Sequence, residues 1–92
     1  MKYCYPIILS EMKEGGYLVY VPDMKINTTG TDLSNALEMA KDAIEICGVG
    51  YEDEKMPIPE PSPISSVDAK NGEFVLAVNV DFGAYRLMLD NK

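Results

Sequence analysis

YCYPIILSEMKEGGYLVYVPD, residues 3–23, is the stretch that decides the fold. Its opening, Tyr3 to Leu9, is dense in aromatic and β-branched residues, which suit a pleated and half-buried surface. Alternation puts Tyr3, Tyr5, Ile7 and Leu9 on one face and Cys4, Pro6 and Ile8 on the other. Both faces are largely apolar, so part of this strand is expected to be covered on both sides. Pro6 has no N–H to give to a ladder, which predicts a sheet edge or a bulge there. Glu11 to Gly16 is a polar turn whose Gly15-Gly16 pair supplies the positive φ angles a hairpin needs. Tyr17 to Val21 is the return strand. Pro22-Asp23 closes it, because proline ends pairing and the aspartate side chain braces a turn.

Outward from this hairpin, Ile26 to Thr29 is short and β-branched and reads as a third strand. A helix follows. Leu33, Ala36, Leu37, Ala40, Ala43, Ile44 and Cys47 recur at offsets that form one stripe of a 3.6-residue helix. Asp32 is the predicted N-cap, and Gly48 and Gly50 the predicted stop. Glu38, Lys41, Asp42 and Glu45 make the solvated side. Met39 and Ile46 fit neither set, falling on a flank roughly 100–120° from the core stripe. They read either as plain surface or loop cover, or as an apolar contact with a partner or a second copy.

Glu52, Asp53 and Glu54 form an exposed acidic tract after the helix. Within 56–63, prolines at 57, 59, 61 and 63 exclude helix and central strand, leaving a stiff strap that returns the chain to the sheet. Asn71-Gly72 is a turn, and Phe74 to Val80 is the last strand, with Phe74, Leu76, Val78 and Val80 on one face. The tail predicts a short helix over 83–90. The expected fold is α+β: a single β-β-β-α-β domain over 1–92, its antiparallel sheet packed on one main helix.

Ninety-two residues allow one compact core. Fifteen acidic against eight basic residues give a net charge of −7, and the bases are scattered singly. Phosphate repels such a surface, which argues against nucleic acid binding by this domain. An acidic body suits a basic protein partner, and it also simply keeps a small protein soluble. No run approaches the ~20 apolar residues of a membrane span, and no signal pattern opens the chain, so a cytoplasmic location is expected. Cys4 and Cys47 read as buried free thiols.

Catalysis finds little to use. The chain has no histidine, which removes the usual acid–base pairs and triads. Gly15-Gly16 precedes a strand rather than a helix and cradles no phosphate. The strand cores carry no acids for a metal centre. Glu38, Asp42 and Glu45 share a helix face that can chelate a cation, and a solvated face explains them as well. No enzyme activity, cofactor or metal site is read from these residues.

The order strand, Gly-Gly, strand, Pro-Asp, helix, proline strap resembles the HicB-like antitoxin family. The matching stretches are Tyr5-Pro6-Ile7-Ile8, Glu14-Gly15-Gly16-Tyr17, Val21-Pro22-Asp23, Gly30-Thr31-Asp32-Leu33 with Ala36-Leu37 and Ala40, and Pro57-Ile58-Pro59-Glu60-Pro61-Ser62. Together they run from about Lys2 to Tyr85. The resemblance implies a degenerate RNase H-like fold without nuclease carboxylates. It further implies the antitoxin role of a type II toxin–antitoxin system, in which HicA, a small basic mRNA-cleaving toxin, is neutralised by occlusion.

Family members usually continue into a DNA-binding segment. This chain ends about where that would start, so it is expected to be either a shortened piece or a stand-alone form, with DNA binding only if such a segment exists in the full protein. The expected partner contacts are Asp23 and Met24 in the turn and Glu52, Asp53 and Glu54 after the helix. A homodimer or higher homo-oligomer is expected, with Met39 and Ile46 as its candidate contacts. The alternatives are a self-associating or partner-binding module without a toxin, and a residual metal-dependent nuclease.

Overall fold

The computed structural model describes residues 2–90, and in it the hairpin of residues 3–23 forms as its residues dictate. β1 (Lys2–Glu11) and β2 (Tyr17–Val21) pair antiparallel, with Glu11 opposite Tyr17 and Ile8 opposite Tyr20. Gly15 and Gly16 take φ of 96° and 84°, and the loop closes with Met12 N–H donating to Gly16 O at 3.0 Å. β3 (Ile26–Gly30) adds to β2, and β4 (Glu73–Asp81) adds to the other side of β1, giving the order β3-β2-β1-β4. The fold is α+β, a four-stranded antiparallel sheet with one main helix on it. β1 pairs β4 from Lys2 to Ser10 but meets β2 only from Ile8 onward. Pro6, opposite Ala77 of β4, therefore lies in the half of β1 that has a single neighbouring strand, where proline is tolerated.

The inner sheet face is the one alternation predicted. Tyr5, Ile7 and Leu9 of β1, Val19 and Val21 of β2, and Val78 and Val80 of β4 are buried against Ala36, Ala40 and Ile44 of α1 (Leu33–Asp53). The two alanines let the helix axis approach the sheet closely. At the helix start, Asp32 accepts from Asn35 N–H at 2.8 Å, while the Asn35 side chain accepts from Thr31 N–H at 2.9 Å. One of the amides that a helix start leaves unpaired is thus served, and the residue before the cap is tied to the first turn. Gly30 sits against this first turn so tightly that a Cβ there would lie 2.3 Å from Ala36 Cα.

α1 does not stop at Gly48 and Gly50 but runs on to Asp53, five residues past Gly48. The reason is tertiary. α2 (Phe82–Asp90) brings the fully buried Phe82 ring onto the bare backbone of Gly48. Burying a phenyl ring is worth about 1.5–3 kcal/mol, more than the ~1 kcal/mol that a helical glycine costs. Termination falls instead to Lys55, with φ of 58°. Lys55 N–H donates to Glu52 O at 3.0 Å and Met56 N–H to Tyr51 O at 2.9 Å, the paired bonds of a Schellman end.

Two burial expectations are corrected. Cys4 is exposed on the outer sheet face and Cys47 is only half-buried beside the core. Glu45, expected in solvent, is buried where β4 ends and α2 begins, with Asp81 N–H donating to its carboxylate at 3.4 Å.

Candidate functional site

The strap between α1 and β4 is fastened at two points. Tyr5 Oη donates to Pro59 O at 2.6 Å, from a ring that is fully buried. Burial, and then the charge of neighbouring groups, pushes the Tyr5 phenol well above the ordinary tyrosine value, so it stays a donor. Asp23 accepts from Ser62 N–H at 2.9 Å and from Ser62 Oγ at 2.5 Å, using both carboxylate oxygens. Alternating proline leaves the strap few amides of its own to fold with, so side chains from β1 and the β2–β3 turn hold it.

This geometry revises the expected contact set. Met24 is 6 % exposed and belongs to the core, so it cannot reach into a partner's pocket without opening the β2–β3 turn. Asp23 is half-buried and committed to the strap. The acidic tract lies at the end of α1 rather than in a loop: Glu52 and Asp53 are its last residues and Glu54 its C-cap. Carboxylates at a helix C-terminus oppose the helix dipole. Arg86 of α2 answers them, donating to Asp53 at 2.9 Å, to Glu52 at 3.3 Å and to Val49 O at 3.4 Å. These two carboxylates hold the Arg86 guanidinium more firmly protonated still. All three acids remain exposed.

A second feature was not anticipated from the sequence. α2 crosses beside α1 and leaves a groove of about 400 Å³, lined by Glu38, Met39, Lys41, Asp42, Glu45, Ala84, Tyr85 and Met88. The helix face expected to be open solvent is one wall of this groove. Met39 lies in it, with 39 % of its surface exposed, whereas Ile46, 54 % exposed, is not among the lining residues. The signal available in the sequence was the run Leu87-Met88-Leu89, too apolar for a plain solvated tail. No three His, Cys, Asp or Glu side chains among the described residues are placed to hold a metal ion. Burial pushes the half-buried Cys47 thiol up, away from its reactive thiolate form. No helix among the described residues is long and apolar enough to cross a membrane.

Comparison with known proteins places this geometry. The family described as HicB_like antitoxin of bacterial toxin-antitoxin system matches residues 5–87. The chain belongs to the HicB-like antitoxin family. Curated antitoxin HicB of Escherichia coli is 38 % identical over 65 residues, covering 70 % of this chain and 47 % of the relative. Antitoxin HicB 1 of Photorhabdus laumondii is 39 % identical over 61 residues, covering 65 % of this chain and 39 % of the relative. The chain thus spans about half the length of the E. coli relative and less of the other. Among solved structures, the fold is shared with a chain of a toxin–antitoxin complex from Streptococcus pneumoniae. That match has a TM-score of 0.81 at 22 % identity, covering 92 % of this chain and 73 % of that one. A chain of the HicA3 and HicB3 toxin–antitoxin complex aligns with a TM-score of 0.67 at 22 % identity, covering 85 % of this chain and 98 % of that one.

Proposed function

We propose that this chain is the antitoxin domain of a type II toxin–antitoxin system, binding a small basic HicA-type toxin and occluding the surface it uses to cleave mRNA. The observation that carries this reading is the family match over residues 5–87, nearly the whole chain. The net charge of −7 supports it, because an acidic antitoxin draws in a basic toxin and competes with RNA for the same charges. The role is stoichiometric rather than catalytic, carried out in the cytoplasm. Affinity in the nanomolar range needs about 12 kcal/mol, within reach of an interface of about 1,600 Å² with a few apolar anchors. Glu52, Asp53 and Glu54 are the exposed acids proposed to meet toxin lysines or arginines, with Arg86 holding the first two in place.

The test is calorimetric titration of this chain with the toxin encoded beside it, run alongside an RNA-cleavage assay. Nanomolar binding with loss of cleavage is expected. A folded chain that neither binds nor inhibits overturns the proposal. Reversing the charge of Glu52, Asp53 and Glu54 together is expected to weaken binding, most of all at low salt; unchanged affinity removes those three acids from the interface.

Self-association is the second reading, favoured by Ile46, which stands 54 % exposed on the middle of α1. Sedimentation at several concentrations tests it: a homodimer or higher oligomer that Ile46→Glu dissociates is expected, and a monomer at every concentration overturns it.

A further inference from the structure

We propose that the groove between α1 and α2 is the seat for a basic amphipathic segment of the toxin. An apolar toxin side chain would rest on Met39, Tyr85 and Met88, and its lysines or arginines would face Glu38, Asp42 and Glu45. This inference rests on the antitoxin reading and locates the contact that reading requires.

Three observations select this occupant. The first is composition along the groove: the α2 wall is apolar, with Ala84, Tyr85 and Met88, and the α1 wall carries Met39 beside the carboxylates of Glu38, Asp42 and Glu45, a pairing that suits an amphipathic helix or strand. Met88 is 50 % exposed and the adjoining Leu87 is 65 % exposed, so the helix that forms one wall shows its apolar side to water. The second is charge. Among the described residues, three carboxylates line the groove against the one ammonium of Lys41. A second copy of this chain, itself carrying a net charge of −7, would set carboxylate against carboxylate, and like charges across an interface suppress pairing. Nucleic acid is repelled for the same reason. A basic protein segment is the occupant left.

The third is Glu45. It is 8 % exposed, and Asp81 N–H reaches it only at 3.4 Å. Charge-assisted bonds to a carboxylate usually close to about 2.7–2.9 Å. A carboxylate on the groove wall that makes one long bond within the protein keeps acceptor capacity for an incoming guanidinium or ammonium. α2 itself is anchored away from the groove, by Phe82 on Gly48 and by Arg86 on the end of α1, which leaves Tyr85 and Met88 to face a partner.

The experiment is titration of the toxin into the full chain and three variants, each first checked for folding by circular dichroism. Met88→Glu replaces a half-exposed side chain, and Glu38→Lys with Asp42→Lys reverses two exposed ones. Leu18→Glu is the control on the outer sheet face. Toxin affinity is expected to fall at least about 10-fold for Met88→Glu and for the double reversal, as for anchor residues, and to stay within about 2-fold for Leu18→Glu. The double reversal is also expected to flatten the salt dependence of binding. If the unaltered chain binds and inhibits the toxin while both groove variants bind as tightly, the groove assignment is overturned and the antitoxin reading stands. If the folded, unaltered chain does not bind, both are overturned. A dimer of this chain that Met88→Glu dissociates, with toxin affinity unchanged, assigns the groove to a second copy and overturns the proposal.

Discussion

The Phe82 ring fills the space that any side chain on residue 48 would need: a Cβ built on Gly48 would lie 2.1 Å from Phe82 Cε1 and 2.4 Å from Cδ1. The ring has nowhere to go. It is 1 % exposed and held between Tyr3, with ring centroids 5.4 Å apart, and Tyr5, at 6.4 Å. Gly50, one half-turn on, faces open space, with nothing within 4 Å of its would-be Cβ.

The two glycines therefore respond in opposite directions. Gly48→Ala is expected to cost about 1–3 kcal/mol by overpacking, even after its gain in helix propensity. Gly50→Ala is expected to stabilise by about 0.8–1 kcal/mol, the propensity difference alone. Urea unfolding of both variants checks this, and equal effects of the same sign would contradict the Phe82 contact.

Lys55 ends α1 in a left-handed conformation that costs a non-glycine residue about 1–2 kcal/mol. Lys55→Gly removes that strain and gives back part of it as chain entropy, so a net gain of about 0.5–1 kcal/mol is expected. A higher thermal midpoint with unchanged far-ultraviolet circular dichroism is the readout. A lower midpoint would mean that the Lys55 side chain matters more than its backbone.

The strap depends on the Asp23–Ser62 pair and on Tyr5. Asp23→Ala leaves the Ser62 amide without its charged acceptor and is expected to cost about 1.5–3 kcal/mol; Tyr5→Phe, losing the bond to Pro59 O, is expected to cost about 0.5–1.5 kcal/mol. Combining Asp23→Ala with Ser62→Ala tests whether the two act as one latch. Costs that add without coupling would refute it.

Acid should loosen α2 first at its cap. Asp81 accepts from Ala84 N–H at 3.0 Å, and that bond chiefly holds its carboxyl below the ordinary aspartate value. A folded value below the unfolded one means the stabilisation is fully present above the ordinary aspartate value of about 3.9 and is lost as pH falls through the folded value. Hydrogen exchange at Ala84 is expected to speed up in that window. Asp81→Asn keeps a capping oxygen without a titrating proton, so its exchange should lose this pH step; a step that persists assigns it to another group.

Local rules carried much of this molecule. Alternation placed Tyr5, Ile7 and Leu9 together, Gly15-Gly16 marked the hairpin, and Asp32 capped α1, because each depends on neighbours within a few residues. Charge and the order of motifs were enough for the family. The site was less legible. Met24 looked like an exposed turn residue and is core; Glu45 looked solvated and is buried; α1 passed through two glycines. Each departure traces to a contact between distant parts of the chain, such as Asp81 with Glu45, Ser62 with Asp23, or Phe82 with Gly48. The sequence by itself determined the faces, turns, caps and net charge, which are set by backbone preference and side-chain periodicity. Only the tertiary structure decided where α1 ends, which acids are free to face a partner, and that α2 turns one side of α1 into a groove, because those follow from long-range packing that no local pattern encodes.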